Sequence, residues 1–250
     1  MPQDSHQTGL GFVLIQGGGL GPWVWDRLIP LLNLPALAVN RIGNANQNIK
    51  LKKLTIANCA SFVKSEIEKV GFQRVILVGH SIGGVIAPEV AAQLPDRMAH
   101  LVFIAASIPP EGKRPLDILP VMPRLMNWLV IELQNLGISM PQGQVENVIR
   151  NTLCNDVDEE TLQWVLSHNI NPEPRALAFE RISRANMPDV PRTYIKLLQD
   201  RTLSLEAQDQ MVENLGGAHV LTLDTGHTAM VSRPKELAQL LNLVAEQTAQ

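Results

Sequence analysis

The serine of Gly79-His80-Ser81-Ile82-Gly83 is the residue of this sequence best placed to act as a nucleophile. Four apolar residues at 75–78 precede the motif and predict a short buried strand, and an apolar run after it predicts a helix. G-x-S-x-G at a strand–turn–helix junction is typical of a nucleophile elbow, which exposes the serine Oγ at the tip of a sharp turn. Glycines are needed there because a Cβ would clash across the turn. The motif therefore predicts that Ser81 attacks a carbonyl carbon.

A serine hydroxyl needs a general base, and His227 is the histidine that fits this role. It follows the last predicted strand at that strand's carboxyl end and comes directly after Gly226. The carboxyl ends of parallel strands meet at one edge of a sheet, which is also where the elbow lies. The other histidines do not fit this role. His6 is predicted to lie in a polar tail and His168 in a helical insertion. His100 and His219 are predicted to lie at the opposite edge of the sheet, and His80 to point away from the serine Oγ.

The base needs an acid that orients it, and two aspartates compete for this role. Asp200 comes directly after the penultimate predicted strand, and it gives the chain order Ser–Asp–His that is typical of an elbow serine. Asp224 lies only three residues before His227 and is the alternative, although it is also suited to hydrogen bonding within its own loop. We predict Asp200 as the acid.

A glycine-rich loop, Gly17-Gly18-Gly19-Leu20-Gly21, follows the first predicted strand. A phosphate site is one interpretation, but the loop lacks the G-x-x-x-x-G-K-[ST] pattern, and no acidic residue follows at the spacing of a dinucleotide site. The other interpretation is an oxyanion hole, which takes one backbone N–H from the residue after the nucleophile and one from such a loop. We therefore predict Ile82 and Gly18 as the oxyanion donors.

Strands and helices alternate along the chain, which predicts an α/β fold with a mostly parallel, doubly wound sheet. The two faces of such a sheet are both covered, so its strands read as short, fully apolar runs. The predicted strands are 11–16, 36–40, 75–78, 100–105, 192–198 and 218–223. The predicted helices of this framework are one that opens at Pro22, 54–70, one from the elbow to about 94, 204–215 and 234–249.

Residues 107–186 break this alternation after the fourth predicted strand and predict a helical cap over the strand ends. Its predicted helices are 116–136, 142–153, 159–168 and 175–185. The first part of the cap is very apolar, which fits either the wall of an apolar substrate pocket or the cap's own core. With a core of about 10–106 and 187–250, we expect a single domain over 1–250.

The composition excludes several classes of partner and site. The 250 residues are 45% hydrophobic and 18% charged, and the net charge of −3 favours neither nucleic acid nor an anionic membrane. The polar N-terminus does not resemble a signal peptide, and no apolar run is long enough to span a bilayer. Two distant cysteines, Cys59 and Cys154, predict no metal site and no disulfide framework, so we expect a reducing, cytoplasmic location and no cofactor.

Three stretches resemble the α/β-hydrolase superfamily over essentially the whole chain: GHSIGG, the loop GGGLGPWVWD and the late DTGH. Within it, GHSIGG, YIKLLQDRTLSLEAQDQM and GHTAM most resemble the branch of plant methylesterases and hydroxynitrile lyases and their bacterial relatives. This resemblance implies an acid at Asp200 and an oxyanion donor at Gly18. It also implies the hydrolase fold with a cap, and ester or cyanohydrin chemistry.

Two positions depart from this branch. The oxyanion loop begins with Gln16-Gly17 where relatives commonly have His-Gly, and Thr228 stands where the lyases carry a lysine after the histidine. Without that cation the resemblance favours ester hydrolysis. We predict a serine esterase whose small-molecule partner is a small, fairly apolar ester. The oligomeric state is left open, with a homodimer as one alternative. The alternatives are a lyase-like or C–C bond hydrolase, or a small-ligand receptor that keeps the triad with little turnover.

Overall fold

Six parallel strands form the framework of the protein, whose computed structural model describes residues 9–40, 51–118, 132–133, 141–168 and 173–249. The strands lie in the order β2-β1-β3-β4-β5-β6, and each neighbouring pair is parallel. This confirms the predicted fold class. The strand bounds are β1 Leu10–Ile15, β2 Ala36–Val39, β3 Arg74–His80, β4 Met98–Ile104, β5 Arg192–Leu197 and β6 His219–Leu223.

Alternating side chains of the strands fill two separate cores, one on each face of the sheet. In β1, Phe12 and Leu14 belong to the core under the C-terminal helix, while Val13 and Ile15 belong to the core on the other face. All four residues are fully buried. Since both faces are covered, the central strands are apolar throughout, which is why they were recognisable in the sequence.

Eight α-helices lie with both ends inside the described part of the chain. Their bounds are α1 Ile56–Val70, α2 Gly83–Gln93, α3 Gln142–Val148, α4 Glu159–Leu166, α5 Ala176–Phe179, α6 Leu205–Leu215, α7 Ala229–Ser232 and α8 Pro234–Ala249. Thr55 caps α1, since its hydroxyl accepts the N–H of Asn58, and Gly71 ends the helix at φ 83°. Ser204 caps α6, since its hydroxyl accepts the N–H of Ala207.

The predicted helix at Pro22 is wrong in form. The segment makes two short 3-10 helices, Pro22–Trp25 and Ile29–Leu31, with a break between them. Pro30 has no N–H to donate to a carbonyl one turn back, and this interrupts a regular α-helix. The apolar residues of the stripe still face the core, with Val24, Trp25 and Leu28 fully buried.

The insertion between β4 and β5 contains a 3-10 helix, α3, α4 and α5. The predicted helix 116–136 falls mostly outside the described residues, and its described start is the 3-10 helix Pro115–Ile118. A π-helical turn, Ile149–Leu153, follows α3 and completes the predicted helix 142–153. The domain limits and the extent of the cap stay predictions.

The predicted helix 175–185 is wrong in length, because α5 ends at Phe179. After it, Ile182 donates its N–H to the carbonyl of Lys113 and accepts the N–H of Gly112. These hydrogen bonds to the start of the insertion replace the bonds that a longer helix would make. A pairing between distant segments has therefore overridden the local helical pattern.

Cys59 and Cys154 are both buried, and neither is in a disulfide bond. The described residues include no helix long and apolar enough to cross a membrane.

His100 makes the stability of the fold depend on pH. Burial lowers the pKa of His100 from 6.5 to about 4, and the nearby His219 adds to the effect. The ring nitrogens contact the hydroxyls of Thr193 and Thr248 at 2.9 and 3.2 Å. The unfolded chain binds this proton below pH 6.5 and the folded chain does not until about pH 4. Stability from the neutral ring is therefore complete above pH 6.5 and is lost as the pH falls towards 4.

We expect the free energy of unfolding to fall more steeply with acid in the wild type than in His100→Gln. The difference between about pH 7 and pH 4.5 should be on the order of 1–2 kcal/mol, measured by urea denaturation at each pH. His219→Gln, at an exposed neighbouring position, is the control and should keep most of the wild-type slope. Equal slopes in the wild type and His100→Gln would contradict the assignment.

Candidate active site

Ser81 lies in the turn between β3 and α2, with its backbone held in a strained conformation at φ 52°. Its N–H donates to the carbonyl of Ile104 at 3.1 Å, and its own carbonyl accepts the N–H of Ser107 at 2.9 Å. The end of β4 thus holds the serine from both sides. The chain between those two contacts passes through Ala105, which is also strained at φ 38°. Strained residues of this kind persist only where the surrounding structure fixes them.

The glycines around the serine are required by close approaches of backbone and side chains. A Cβ on Gly83 would lie 2.7 Å from the backbone oxygen of Ile15, and one on Gly84 would lie 2.7 Å from the Cβ of Ala106. At Gly17 it would lie 2.8 Å from His80 Nδ1. The elbow, the loop after β1 and the end of β4 therefore pack together too closely for any side chain at these positions.

Gly83→Ala is expected to lower the free energy of unfolding by about 2 kcal/mol or more, because the new Cβ meets backbone that cannot move aside cheaply. The matched control is Gly143→Ala in α3, where a Cβ meets no atom within 4 Å. That variant should be neutral or slightly stabilising, since alanine favours helix over glycine. Urea denaturation of both variants measures the difference. Equal stabilities would show that the elbow tolerates a side chain.

His227 and Asp200 form a buried pair. The Nδ1 of His227 lies 2.7 Å from Oδ2 of Asp200, and the exposed fractions of the two side chains are 2% and 0%. An ionised carboxylate only accepts hydrogen bonds, so Nδ1 carries the proton and Nε2 is left as an acceptor. The other carboxylate oxygen accepts the backbone N–H groups of Thr202 and Leu203 at 2.7 and 2.9 Å. Both oxygens of the acid are therefore fixed in place.

The competing acid, Asp224, lies elsewhere. It is exposed and accepts a hydrogen bond of 2.8 Å from the side chain of Gln199. Of the two aspartates considered in the sequence, the structure places Asp200 against His227. Asp224 is therefore not paired with the imidazole, although it lies only three residues before His227 in the sequence.

His80 supports His227 from behind. Its Nε2 donates to the backbone carbonyl of His227 at 2.9 Å, and the two ring centroids lie 4.7 Å apart. The His80 side chain is fully buried, next to Trp25, whose ring centroid lies 6.3 Å away at nearly a right angle. Sequence reasoning assigned His80 only an orientation away from the serine and missed this contact. No spacing rule connects two residues 147 positions apart.

The two predicted oxyanion donors lie close to each other beside Ser81. Gly18 and Ile82 line the same cavity as the serine, and a Cβ on Gly18 would lie 3.7 Å from Cγ2 of Ile82. Neither backbone N–H donates to another residue that the structure describes. The eleven-residue helix α2 starts at Gly83, so its positive N-terminal end lies at the same place. The arrangement can bind a negatively charged oxygen.

Two cavities of about 190 and 310 Å³ meet at Ser81 and His227. The smaller one is mainly apolar and contains Leu116, one of the apolar residues that the sequence assigned to a pocket wall or to the cap core. Residues 119–131 of the predicted helix lie outside the described residues. The two cavities share Ser81, Ile82, Leu177, Ala178, Thr202 and His227. The serine and the histidine therefore line both cavities.

The larger cavity includes the glycine-rich loop and one acidic residue, Glu173. Its Oε1 accepts the N–H of Gly19 at 2.6 Å, so the insertion braces the loop that carries Gly18. Nothing in the sequence marked Glu173, since it lies in no motif and 154 residues from its partner.

Comparison with known proteins identifies the family of this chain. A model of the alpha/beta hydrolase family matches residues 12–240. The chain belongs to this family. The match extends from β1 into α8, so it includes the elbow, both loops of the His–Asp pair and the insertion. The predicted family is thereby confirmed.

Several named proteins share sequence with this chain along most of its length. Methylesterase 8 of Arabidopsis thaliana is 25% identical over 250 residues, which cover 94% of this chain and 89% of the relative. Polyneuridine aldehyde esterase of Rauvolfia serpentina is 25% identical over 254 residues, covering 92% and 93%. Two longer, chloroplastic methylesterase-like proteins of Arabidopsis thaliana are 27% and 28% identical, and this chain spans only 63% and 55% of their length.

The fold also matches solved structures. An extracellular α/β-hydrolase from a Paenibacillus species superposes with a TM-score of 0.80 at 23% identity, covering 93% of this chain and 97% of that one. Its description states structural and functional homology to a tobacco salicylic acid binding protein. At this level of identity the likeness establishes the shared fold.

Thr228, the position at which the resemblance implies a lysine in a lyase, is buried and follows the base directly in the chain. Its hydroxyl donates to the carbonyl of Leu153 at 2.7 Å. The side chain is therefore directed at the backbone of the insertion, and it brings no positive charge to this place.

Proposed function

We propose that this hydrolase is a serine esterase that forms an acyl-enzyme on Ser81. The observation that carries the proposal is the placement of a strained elbow serine in the same cavity as His227, whose Nδ1 is held by a fully buried Asp200. That combination of nucleophile, base and orienting acid supports acyl transfer. Relatives named methylesterases and esterases support an ester as the substrate.

In the proposed reaction, His227 Nε2 takes the proton of Ser81 as Oγ attacks the ester carbonyl. Asp200 keeps the other ring proton on Nδ1 and stabilises the imidazolium that forms. His227 then gives the proton to the leaving alcohol, and water repeats the sequence to release the acid. No metal ion or organic cofactor takes part in these steps.

The negative charge of the tetrahedral intermediate is proposed to rest on the N–H groups of Gly18 and Ile82. These groups are fixed by the close packing of the loop against the elbow, so they need no rearrangement when the charge develops. The N-terminal end of α2 adds to the same field. The hydrogen bond from Gly19 to Glu173 keeps the loop in place.

The cavities favour a small, uncharged and fairly apolar ester. The cavity of about 190 Å³ accepts an apolar arm, and the cavity of about 310 Å³ accepts the other arm. Glu173 in the larger cavity disfavours a substrate that carries a carboxylate of its own, because like charges repel. The absence of a cation at Thr228 favours an alcohol over cyanide as the leaving group.

A cytoplasmic location and a homodimer remain proposals.

Hydrolysis of a matched panel tests this function. Methyl, phenyl and p-nitrophenyl butanoates, a lactone and mandelonitrile are offered, and acid, alcohol or cyanide release is measured. We expect hydrolysis of the neutral esters and no cyanide release. Cyanide release without ester cleavage would replace the esterase by a lyase. If no compound is turned over and the esters only raise the melting temperature, the protein is a receptor with an intact triad.

A further inference from the structure

The short stretch 153–156 of the insertion contacts the loops that carry both His227 and Asp200. We propose that Asp156 is a positioning residue that fixes the His227 loop through hydrogen bonds from the insertion to the core. The inference rests on the proposed function, since it concerns the geometry of the same base. It gives the insertion a part in catalysis besides covering the substrate.

Asp156 binds the two residues directly before His227. Its Oδ2 accepts the backbone N–H of Gly226 at 2.6 Å and the hydroxyl of Thr225 at 2.7 Å. Hydrogen bonds to an ionised acceptor are the strong ones, and both converge here on one oxygen atom. The backbone that leads into His227 is therefore anchored to a side chain of the insertion, 70 residues away in sequence.

Gly226 allows this contact because it has no side chain. A Cβ at this position would lie 2.5 Å from Oδ1 of Asp156 and 2.8 Å from Oδ1 of Asn155. Any other residue would push the carboxylate away from the backbone N–H. A glycine is therefore required before His227, because the insertion packs too closely against this position for a side chain.

The same stretch holds the site at two more points. The hydroxyl of Thr228, directly after the base, donates to the carbonyl of Leu153. The side-chain amide of Asn155 donates to the carbonyl of Gln199 at 3.0 Å, directly before Asp200. Residues 153–156 therefore form hydrogen bonds with the residues before and after His227 and with the residue before Asp200.

These anchors matter because the imidazole must meet both Ser81 and Asp200. A displacement of about 1 Å in a reacting group lowers the rate by about a hundredfold in well-organised sites. The core holds the loop between β6 and α7 at two points: the N–H of Gln199 donates to the carbonyl of Thr225, and Nε2 of His80 donates to the carbonyl of His227. Asp156 adds two hydrogen bonds from the insertion to the residues between these points.

Substitutions of Asp156 can separate the effect of its hydrogen bonds from the effect of its charge. Both donors use Oδ2, while Oδ1 is buried and makes no hydrogen bond with any described residue. In Asp156→Asn the amide oxygen can occupy the Oδ2 position and keep both bonds without the charge. In Asp156→Ala both bonds are lost. Glu160→Gln, at an exposed position of α4, removes a charge from the same insertion as a control.

The test measures kcat and KM on the best neutral ester, the melting temperature, and the low-field proton NMR signal of the His227 Nδ1–H. We expect Asp156→Ala to lower kcat about 10- to 100-fold with KM within about twofold, and to weaken the NMR signal. Asp156→Asn should recover kcat to within about threefold, and Glu160→Gln should match the wild type. If Asp156→Ala does not fold, Thr225→Val removes one of the two bonds and should lower kcat about 3- to 10-fold.

Wild-type kcat and an unchanged NMR signal in a folded Asp156→Ala or Thr225→Val protein would overturn the inference. Asp156→Asn as slow as Asp156→Ala would also overturn it, because charge and not hydrogen bonding would then be the cause. The NMR signal needs no substrate, so it tests the positioning even if the wild type hydrolyses no ester. Failure of the proposed function and failure of this inference are thus separate results.

Discussion

Ser81→Ala is expected to lower kcat for ester hydrolysis by about 10⁴- to 10⁶-fold while the protein stays folded. The variant removes the nucleophile, so no acyl-enzyme forms. Alanine preserves the backbone contacts of the elbow, since the N–H still donates to Ile104 and the carbonyl still accepts from Ser107. Any residual rate would come from binding and the oxyanion donors alone. Steady-state kinetics on a p-nitrophenyl ester measure the loss.

Ser107→Ala is the matched control for this variant. Ser107 also lines the smaller cavity, and its contact to the elbow uses the backbone N–H, which the substitution leaves in place. Its kcat should stay within about threefold of the wild type, as typical of a side chain without a catalytic role. An Ser81→Ala protein that keeps a tenth or more of the wild-type rate would refute the serine mechanism.

Asp200→Asn is expected to lower kcat by about 10⁴-fold. The two backbone N–H groups of Thr202 and Leu203 need an acceptor, so the amide oxygen takes the Oδ1 position. The amide NH₂ then faces Nδ1 of His227, where the wild type has an accepting oxygen. Nδ1 must become the acceptor and the ring proton moves to Nε2. In that tautomer His227 cannot accept the proton of Ser81.

Asp224→Asn tests the competing assignment. Asp224 is exposed and bonds only to the side chain of Gln199 among the described residues, so kcat should stay within about threefold of the wild type. The ratio of the two variants is the deciding number. If Asp224→Asn were the slower enzyme, the acid would have to be reassigned and the loop after β6 would differ from its present position.

The central part of the fold could be predicted because its signals are local. β3 and the elbow read as an apolar run, a G-x-S-x-G turn and an apolar helix, and the structure has Arg74–His80, Ser81 and Gly83–Gln93 in that order. The strands β1, β3 and β4 are buried almost throughout and leave apolar runs in the sequence, and all six strands were predicted within about two residues of their observed start. The placement of Asp200 and His227 follows from the rule that parallel strands end at one edge.

Features that depend on distant contacts were not predictable. The Asp156–Gly226 and Glu173–Gly19 hydrogen bonds join residues 70 and 154 positions apart, and no periodicity or motif marks either acid. The predicted helix 175–185 was too long because Ile182 pairs with the start of the insertion. Local patterns describe single elements, whereas these contacts depend on how the elements are packed together.

Trapping of the acyl-enzyme tests the central claim most directly. The protein is mixed with p-nitrophenyl acetate, quenched in acid during the initial burst, digested and analysed by mass spectrometry. We predict an acetyl group on the peptide that contains Ser81, its accumulation in the wild type, and its absence in Ser81→Ala. An acetyl group on another residue at equal yield in both proteins, or rapid turnover without any adduct in the wild type, would contradict the account.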